Sequence, residues 1–277
     1  MTWLLKPAEL LYRGINRLRR ALYRAGVLRP KRLPIPVISV GNIAIGGGGK
    51  TPAVIAIARA CVSRDLRVVV LTRGYGRAGE GGEVTSLDAS RFGDEPVLIK
   101  KSLPNVRVIV GKKRHDKAVG LKCDVIVLDD GFQHLQLHRD LDVVVDNPGA
   151  RFLREGRSAL RRADIVLQRN VRPVVPPALQ QKSVFAFSGL ADNEQFFASL
   201  RNAGMKVVAT RGFADHHRYT ASDVESIKRA AAEAGAKAIV TTEKDAVKID
   251  DPQIVAIPAE MTLPPEVLSR ILAVVSR

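Results

Sequence analysis

The 277-residue sequence contains only two cysteines, Cys61 and Cys123, with no CxxC spacing. That scarcity points to a reducing compartment and implies neither a disulfide framework nor a zinc site. Long apolar runs are missing too, every unbroken stretch falling far short of the roughly 18–20 residues needed to cross a bilayer. No cleavable export signal is expected, because the apolar stretch after Met1 covers only Trp3 to Leu5 and a helical pattern with arginines follows. Repeats and low-complexity tracts are lacking, apart from a glycine-rich stretch from Arg77 to Gly82 that reads as a mobile loop. With 46% apolar and 26% charged residues, the composition excludes disordered and collagen-like chains and allows one large or two modest globular domains.

What is present in excess is positive charge. Lysine and arginine total 44 against 28 acidic residues, a net +16 that attracts phosphates, nucleic acid or anionic lipid. Half of it lies in residues 1–32, where nine basic residues accompany Glu9 alone. There Leu4, Ala8, Leu11, Ile15, Leu18 and Leu22 recur at steps of four and three, one helical face, while Arg13, Arg17, Arg20 and Arg24 keep the same rhythm on another. Such a helix, with Trp3 and Tyr12 near its start, suits a bilayer interface with arginines on anionic head groups. Packing on the protein's own core, or service as a nucleic-acid arm, are the alternatives.

From residue 33 short β-branched runs alternate with helical patterns, the signature of parallel strands joined by crossover helices. Strands are expected at 35–40, 67–71, 106–110, 124–128, 141–145 and 165–168, continuously apolar and so covered on both faces. Pro173, Pro176 and Pro177 then break the rhythm, making 171–182 the natural linker. A smaller alternation follows, with strands at 183–187, 206–209, 237–241 and 253–257 and helices near 192–203, 220–235 and 264–276.

Chemistry is concentrated in four motifs. In Ile35-Pro-Val-Ile-Ser-Val-Gly-Asn-Ile-Ala-Ile-Gly-Gly-Gly-Gly-Lys-Thr-Pro52 a buried strand runs into a glycine-rich loop and then a helix, the order of a phosphate-binding loop. Backbone amides of Gly46, Gly47, Gly48 and Gly49 can turn onto phosphate oxygens, helped by the helix N-terminus. Lys50 would bridge the β and γ phosphates and Thr51 would ligate Mg²⁺, while Pro52 suits the first helical turn. The pattern GxxxxGK[ST] wants glycine five residues before Gly49, where Ala44 stands, so the loop enters differently. The second motif, Asp124-Val-Ile-Val-Leu-Asp-Asp-Gly-Phe-Gln-His134, ends an apolar strand in Asp129 and Asp130 at the carboxyl edge of the sheet, where a carboxylate can hold Mg²⁺. A capped turn is the plainer alternative.

Third, Phe92-Gly-Asp-Glu-Pro96 opens a helix with two acids; Asp94 and Glu95 either cap it or include a base for a hydroxyl nucleophile. Fourth, Phe213-Ala-Asp-His-His-Arg-Tyr219 precedes a helix in the second unit and either stays solvated or carries a histidine across a cleft. A guanine reader is not indicated, since Thr242-Glu-Lys-Asp245 fails the Asn/Thr-Lys-x-Asp pattern, and Ile45 stands where ParA-like ATPases carry their signature lysine. The fold expected is α/β, a P-loop NTPase-type parallel sheet flanked by helices. Its divisions would be a docking helix over 1–32, a core over 33–182 and a smaller α/β domain over 183–277 closing on the site.

Taken together, Ser39-Val-Gly-Asn42 running into Gly-Gly-Gly-Gly-Lys-Thr-Pro52, Thr72-Arg-Gly-Tyr-Gly-Arg77, Gly93-Asp-Glu-Pro96, Leu128-Asp-Asp-Gly-Phe-Gln-His134, Leu153-Arg-Glu155 and Phe213-Ala-Asp-His216 closely resemble the tetraacyldisaccharide 4'-kinase family. The resemblance implies transfer of the ATP γ-phosphoryl group to the 4'-hydroxyl of a tetraacylated glucosamine disaccharide 1-phosphate, at the cytoplasmic face of the inner membrane. It further implies Asp94 as base in a dyad with His216, and Lys50, Thr51, Glu95, Asp129 and Asp130 serving ATP and Mg²⁺. Partners would be the lipid disaccharide and anionic membrane lipids, with no nucleic acid. The alternatives from the residues alone are a P-loop ATPase or ligase acting on a soluble acid, or a non-catalytic basic membrane-binding module.

Overall fold

The computed structural model describes residues 5–44, 49–75, 77–150 and 153–276, with side chains from residue 14 onward. It opens with the amphipathic helix α1 (Leu5–Arg24), followed by β1 (Val37–Asn42), α2 (Lys50–Val62) and β2 (Val68–Thr72). Next come the short β3 (Gly82–Glu83), α3 (Ala89–Phe92), α4 (Asp94–Ser102), β4 (Arg107–Val110), α5 (Arg114–Ala118), β5 (Val125–Asp129), β6 (Leu141–Asp146) and β7 (Ile165–Gln168). Their seven strands form one sheet in the order β3-β4-β2-β5-β1-β6-β7, parallel except for the edge strand β3. The six strands expected for this sheet appear within two residues of their predicted bounds; the inner strands β1, β2, β5 and β6 are buried on both faces, whereas the edge strand β7 alternates, with Val166 outward.

Alternation of side chains divides the core. Ile38 and Val40 of β1, with Val70 and Val127, face the layer containing Val54 and Ile57 of α2 and Val97 and Ile99 of α4. Val37, Leu71, Ile126 and Leu128 face the opposite side, with Ala118 of α5 and Leu137. β1 thus lies in the middle of the sheet beside β5, with Val40 in register with Asp129. The loop after β1 and the acid ending β5 therefore emerge together at the carboxyl edge, where open parallel sheets bind ligands.

The chain then forms β8 (Val171–Pro173) and a second sheet from β9 (Ser183–Ser188), α6 (Asn193–Asn202), β10 (Lys206–Gly212), α7 (Ala221–Glu233), β11 (Ala238–Thr242), α8 (Glu243–Ala246) and β12 (Ile254–Ile257). The order is β10-β9-β11-β12, all parallel, with Phe197 and Leu200 of α6 covering one face and Ile227 and Ala231 of α7 the other. Finally β13 (Ala259–Met261) and α9 (Pro265–Val275) return to the first sheet. Two findings refine the sequence reading. The proline-rich stretch is more than a linker, since β8 pairs antiparallel with β13 and the chain crosses between the sheets as a two-stranded ribbon. The last helix, grouped with the second unit on sequence, packs instead on the first: Met261, Val267 and Ile271 are buried in the α2 side of its core. Pairing with β8 carries β13 back beside α2, leaving α9's apolar stripe against that helix.

Candidate active site

The site is assembled at the carboxyl edge of the large sheet, beginning with α2. Gly49, its N-cap, adopts φ 72°, a left-handed conformation that costs glycine little. Lys50 follows, its ammonium 3.4 Å from both Asn42 Oδ1 at the end of β1 and Asp130 Oδ1. Thr51 sits beside it in the first turn, half-buried. Gly46, Gly47 and Gly48 lie outside the described residues. The approach to the loop is held from below: Ala44 bridges Leu153, and the Arg154 amide donates to the Ile43 carbonyl at 2.6 Å.

The two adjacent acids have different environments. Asp129 is buried, accepts from Thr72 Oγ1 at 2.7 Å through Oδ2, and leaves Oδ1 without a hydrogen-bond partner among the described residues. Burial, with the nearby charges of Glu95 and Asp130, pushes its carboxyl up to about 6. Asp130 takes a left-handed backbone at φ 49° and is held by Arg154, whose Nη1 donates to both carboxylate oxygens at 2.8 and 3.0 Å. Burial opposes its ionisation, but Lys50, Arg154 and Arg114 outweigh burial and keep the carboxyl well below the usual range. Arg114 also donates to the Asp130 carbonyl at 3.1 Å.

On the facing side, α4 has Gly93 as its N-cap and no side-chain cap, so the capping role is left unfilled by Asp94. Its carboxylate instead turns to the second unit, where Oδ2 lies 2.9 Å from His216 Nδ1 and 3.8 Å from Lys248 Nζ. Burial raises and these partners lower its carboxyl, the net effect being downward through the His216 hydrogen bond and the Lys248 and Lys244 charges. Glu95, the next residue, is near enough to Asp129 for its charge to act there. In the fourth motif His216 is therefore not left to solvent: it meets Asp94 across 122 positions, its ring lies tilted at 50° to Tyr75 with 5.5 Å between centroids, and its backbone holds φ 59°.

The structure places Asp94 beside His216, the pair that the resemblance implies, and sets Lys50 beside Asp130, a contact not anticipated from sequence; several further groups were missed. Arg154 and Glu155 belonged to a quoted motif with no role attached, Lys244 to text considered only as a failed guanine reader, and Lys248 was not singled out. Glu155 is buried and gathers Arg20 of α1 (2.7 and 2.9 Å), Arg162 (2.6 Å) and Gln133 (3.1 Å), which itself donates to the Asn42 carbonyl at 2.9 Å. An acid set among Arg151, Arg154, Arg157, Arg161 and Arg162 is the sequence signal that such an ion cluster exists, though not with which helix.

A family model described as tetraacyldisaccharide-1-P 4'-kinase matches residues 1–175 and 168–276. A tetraacyldisaccharide 4'-kinase from Anaeromyxobacter sp. (strain K) is 39% identical over 302 residues, covering 88% of this chain and 80% of its own. That of Pelobacter propionicus is 36% identical over 298 residues, covering 89% and 82%. Among solved structures, the apo form of LpxK from Aquifex aeolicus in complex with ATP aligns with TM-score 0.77 and 31% identity over 98% of both chains.

Proposed function

The chain belongs to the tetraacyldisaccharide-1-P 4'-kinase family, and on that premise we propose how its residues carry a γ-phosphoryl group from ATP to the 4'-hydroxyl of a tetraacyldisaccharide 1-phosphate. The observation that carries the reading is a juxtaposition: Lys50 and the acids 129 and 130 stand at the sheet edge, and the Asp94–His216 pair faces them from α4, one residue from Glu95. Phosphoryl transfer needs little covalent chemistry from a protein; charge neutralisation and alignment supply most of the acceleration. In this reading Gly46–Thr51 cradle the triphosphate, and Lys50, now on Asn42 and Asp130, turns to the β and γ phosphates.

The residues also fit a magnesium ion. Asp129 Oδ1 is buried and, among the described residues, unpartnered beside the charges of Glu95 and Asp130, an arrangement that a divalent cation relieves. Asp130 is already engaged by Arg154 and Lys50, so Asp129, with Thr51 and Glu95, offers the open donors and Asp130 shapes the field behind them. The ion, when bound, neutralises phosphate charge. Asp94 accepts the sugar hydroxyl proton as the oxygen attacks, and the second unit's loop around His216 keeps water from competing as acceptor.

Among the described residues no helix is long and apolar enough to cross a membrane. The acylated substrate stays in a bilayer, and α1 supplies a means to meet it: Ile15 and Leu18 are exposed, with Arg17 and Arg24 also outward. We place its docking at the cytoplasmic face of the inner membrane, on anionic lipid.

The test is incubation with γ-labelled ATP and the lipid disaccharide in mixed micelles. Label should pass to the lipid; label recovered only as inorganic phosphate would favour an ATPase. Asp94→Asn should lower turnover about 100-fold or more while leaving ATP binding intact, the scale of a lost general base.

A further inference from the structure

Asp94 faces more than the histidine. Two lysines flank the pair, both carried by the segment after β11, and that segment is rigidly framed. Asp245 is fully buried and accepts from the Gly189 amide (2.9 Å), Thr242 Oγ1 (2.7 Å) and Lys248 Nζ (2.8 Å), while its own amide donates to Thr242 Oγ1 at 3.0 Å. Lys248, so tethered, stands 3.8 Å from Asp94 Oδ2. Lys244, one turn earlier, is oriented by Asp215 Oδ1 at 3.2 Å and reaches His216 Nε2 at 3.3 Å.

That last contact decides a proton's position. An ammonium has three donors and no acceptor, so Nε2 must accept from Lys244. The ring proton is then on Nδ1, the nitrogen 2.9 Å from Asp94. The opposite tautomer would point Nε2–H at an ammonium and leave Nδ1, a lone pair, facing a carboxylate. Asp215 offers no escape, since its Oδ1 is 3.9 Å from Nε2, beyond hydrogen-bonding distance. Tyr75 covers the ring without a polar contact to either nitrogen.

We infer that Lys244 is a positioning residue for phosphoryl transfer: by donating to Nε2 it fixes His216 as the Nδ1–H tautomer and aims that proton at Asp94 Oδ2. The inference rests on the reading of Asp94 as the base. With Oδ2 occupied by the imidazole N–H, Oδ1 is the oxygen left for the acceptor. The sugar O–H bond breaks and its proton passes to Oδ1; the sugar oxygen forms its bond to the γ-phosphorus. The bond from that phosphorus to the bridging oxygen breaks, its electron pair leaving on ADP. Lys244 touches none of the reacting atoms and acts through the ring, as an orienting group does when it holds a catalytic histidine in one tautomer.

The experiment uses the full chain, with the ring nitrogens of His216 identified in ¹⁵N spectra by their loss in His216→Gln. Wild type should show a protonated Nδ1 and an unprotonated Nε2. In Lys244→Met the Nε2–H form should become populated and kcat should fall about 10- to 100-fold, the scale of a misoriented catalytic group, with KM for ATP unchanged. Lys244→Arg, which retains a donor, should restore the tautomer and part of the turnover. An Nε2-protonated ring in wild type overturns the inference, as does Lys244→Met with unaltered tautomer, whatever its kcat. The base reading fails separately, if Asp94→Asn keeps full turnover; the ring spectra need no activity and judge Lys244 by themselves.

Discussion

The two terminal helices flank the same sheet and treat their faces in opposite ways. α9 follows the ordinary pattern, with Val267 and Ile271 buried against α2. α1 inverts it. Among its described side chains the buried ones are Asn16 and Arg20, whereas Ile15 and Leu18 are 49% and 63% exposed. Arg20 passes its guanidinium to both oxygens of Glu155, donates to the Phe132 carbonyl at 2.9 Å and lies 4.6 Å over the Phe132 ring. α1 is thus fastened by a polar anchor and leaves Ile15 and Leu18 outward. Periodicity reports that a helix has two faces; what receives each face depends on a partner far away in sequence, here Glu155, 135 positions on.

The anchor can be broken most directly at Glu155. Glu155→Ala leaves Arg20 and Arg162 without their carboxylate in a buried setting, and unfolding free energy should fall by about 3–5 kcal/mol, the cost of orphaning a buried charge. Urea denaturation measures it. A loss under 1 kcal/mol would mean that α1 is held by something other than this cluster. The same helix exerts a milder effect through charge. His134 is pushed down to about 4 by burial and then by Arg114, Arg139, Arg19 of α1 and Arg73. An unfolded histidine titrates near 6.5, so the unfolded chain takes up a proton that the folded one refuses, and stability falls as pH drops from about 6.5 towards 4. By pH 5 the loss should approach about 2 kcal/mol relative to pH 7.5, and His134→Asn should flatten that slope. An unchanged slope would show that His134 is solvated and outside the reach of these arginines.

On α9 the expected change is smaller and of the ordinary kind. Ile271→Val removes one methylene from a fully buried position and should cost about 1 kcal/mol, as such core truncations do. Together the two helices would then be ranked by substitution: a charge removed from α1's dock outweighs a methylene removed from α9's.

The same distinction explains what the sequence disclosed. Parallel strands announce themselves because burial on both faces demands unbroken runs such as Val125-Ile-Val-Leu128, and the glycine loop because strand, glycines, lysine and helix must follow in order. Asp94 and His216 were legible only through the family's motifs, since a pair of acids opening a helix has a local explanation as good as the catalytic one. The β8–β13 ribbon was hidden: three-residue strands carry no period, and Pro173 reads as a breaker although it sits where the partner Ala259 lies opposite. Lys244 and Lys248 were hidden for a different reason, because lysines near a helix start look solvated until the fold brings them to Asp94 and His216 across the two sheets.

The smallest change in stability should come from the exposed side of α1, and it is the sharpest test of the contrast. Ile15→Ser with Leu18→Ser changes two side chains that are largely exposed, so unfolding in urea should shift by less than about 0.5 kcal/mol. Cosedimentation with vesicles containing anionic lipid should nonetheless weaken about tenfold or more, because a side chain buried in the acyl boundary contributes up to about 1.5–3 kcal/mol and about 1.4 kcal/mol is tenfold. Arg17→Gln with Arg24→Gln should weaken binding as well, but by an amount that vanishes at high salt, whereas the serine pair's deficit persists. If the serine pair instead destabilised the fold and left vesicle binding unaltered, the exposed stripe would be packed against protein in solution, and α1 would be a second α9.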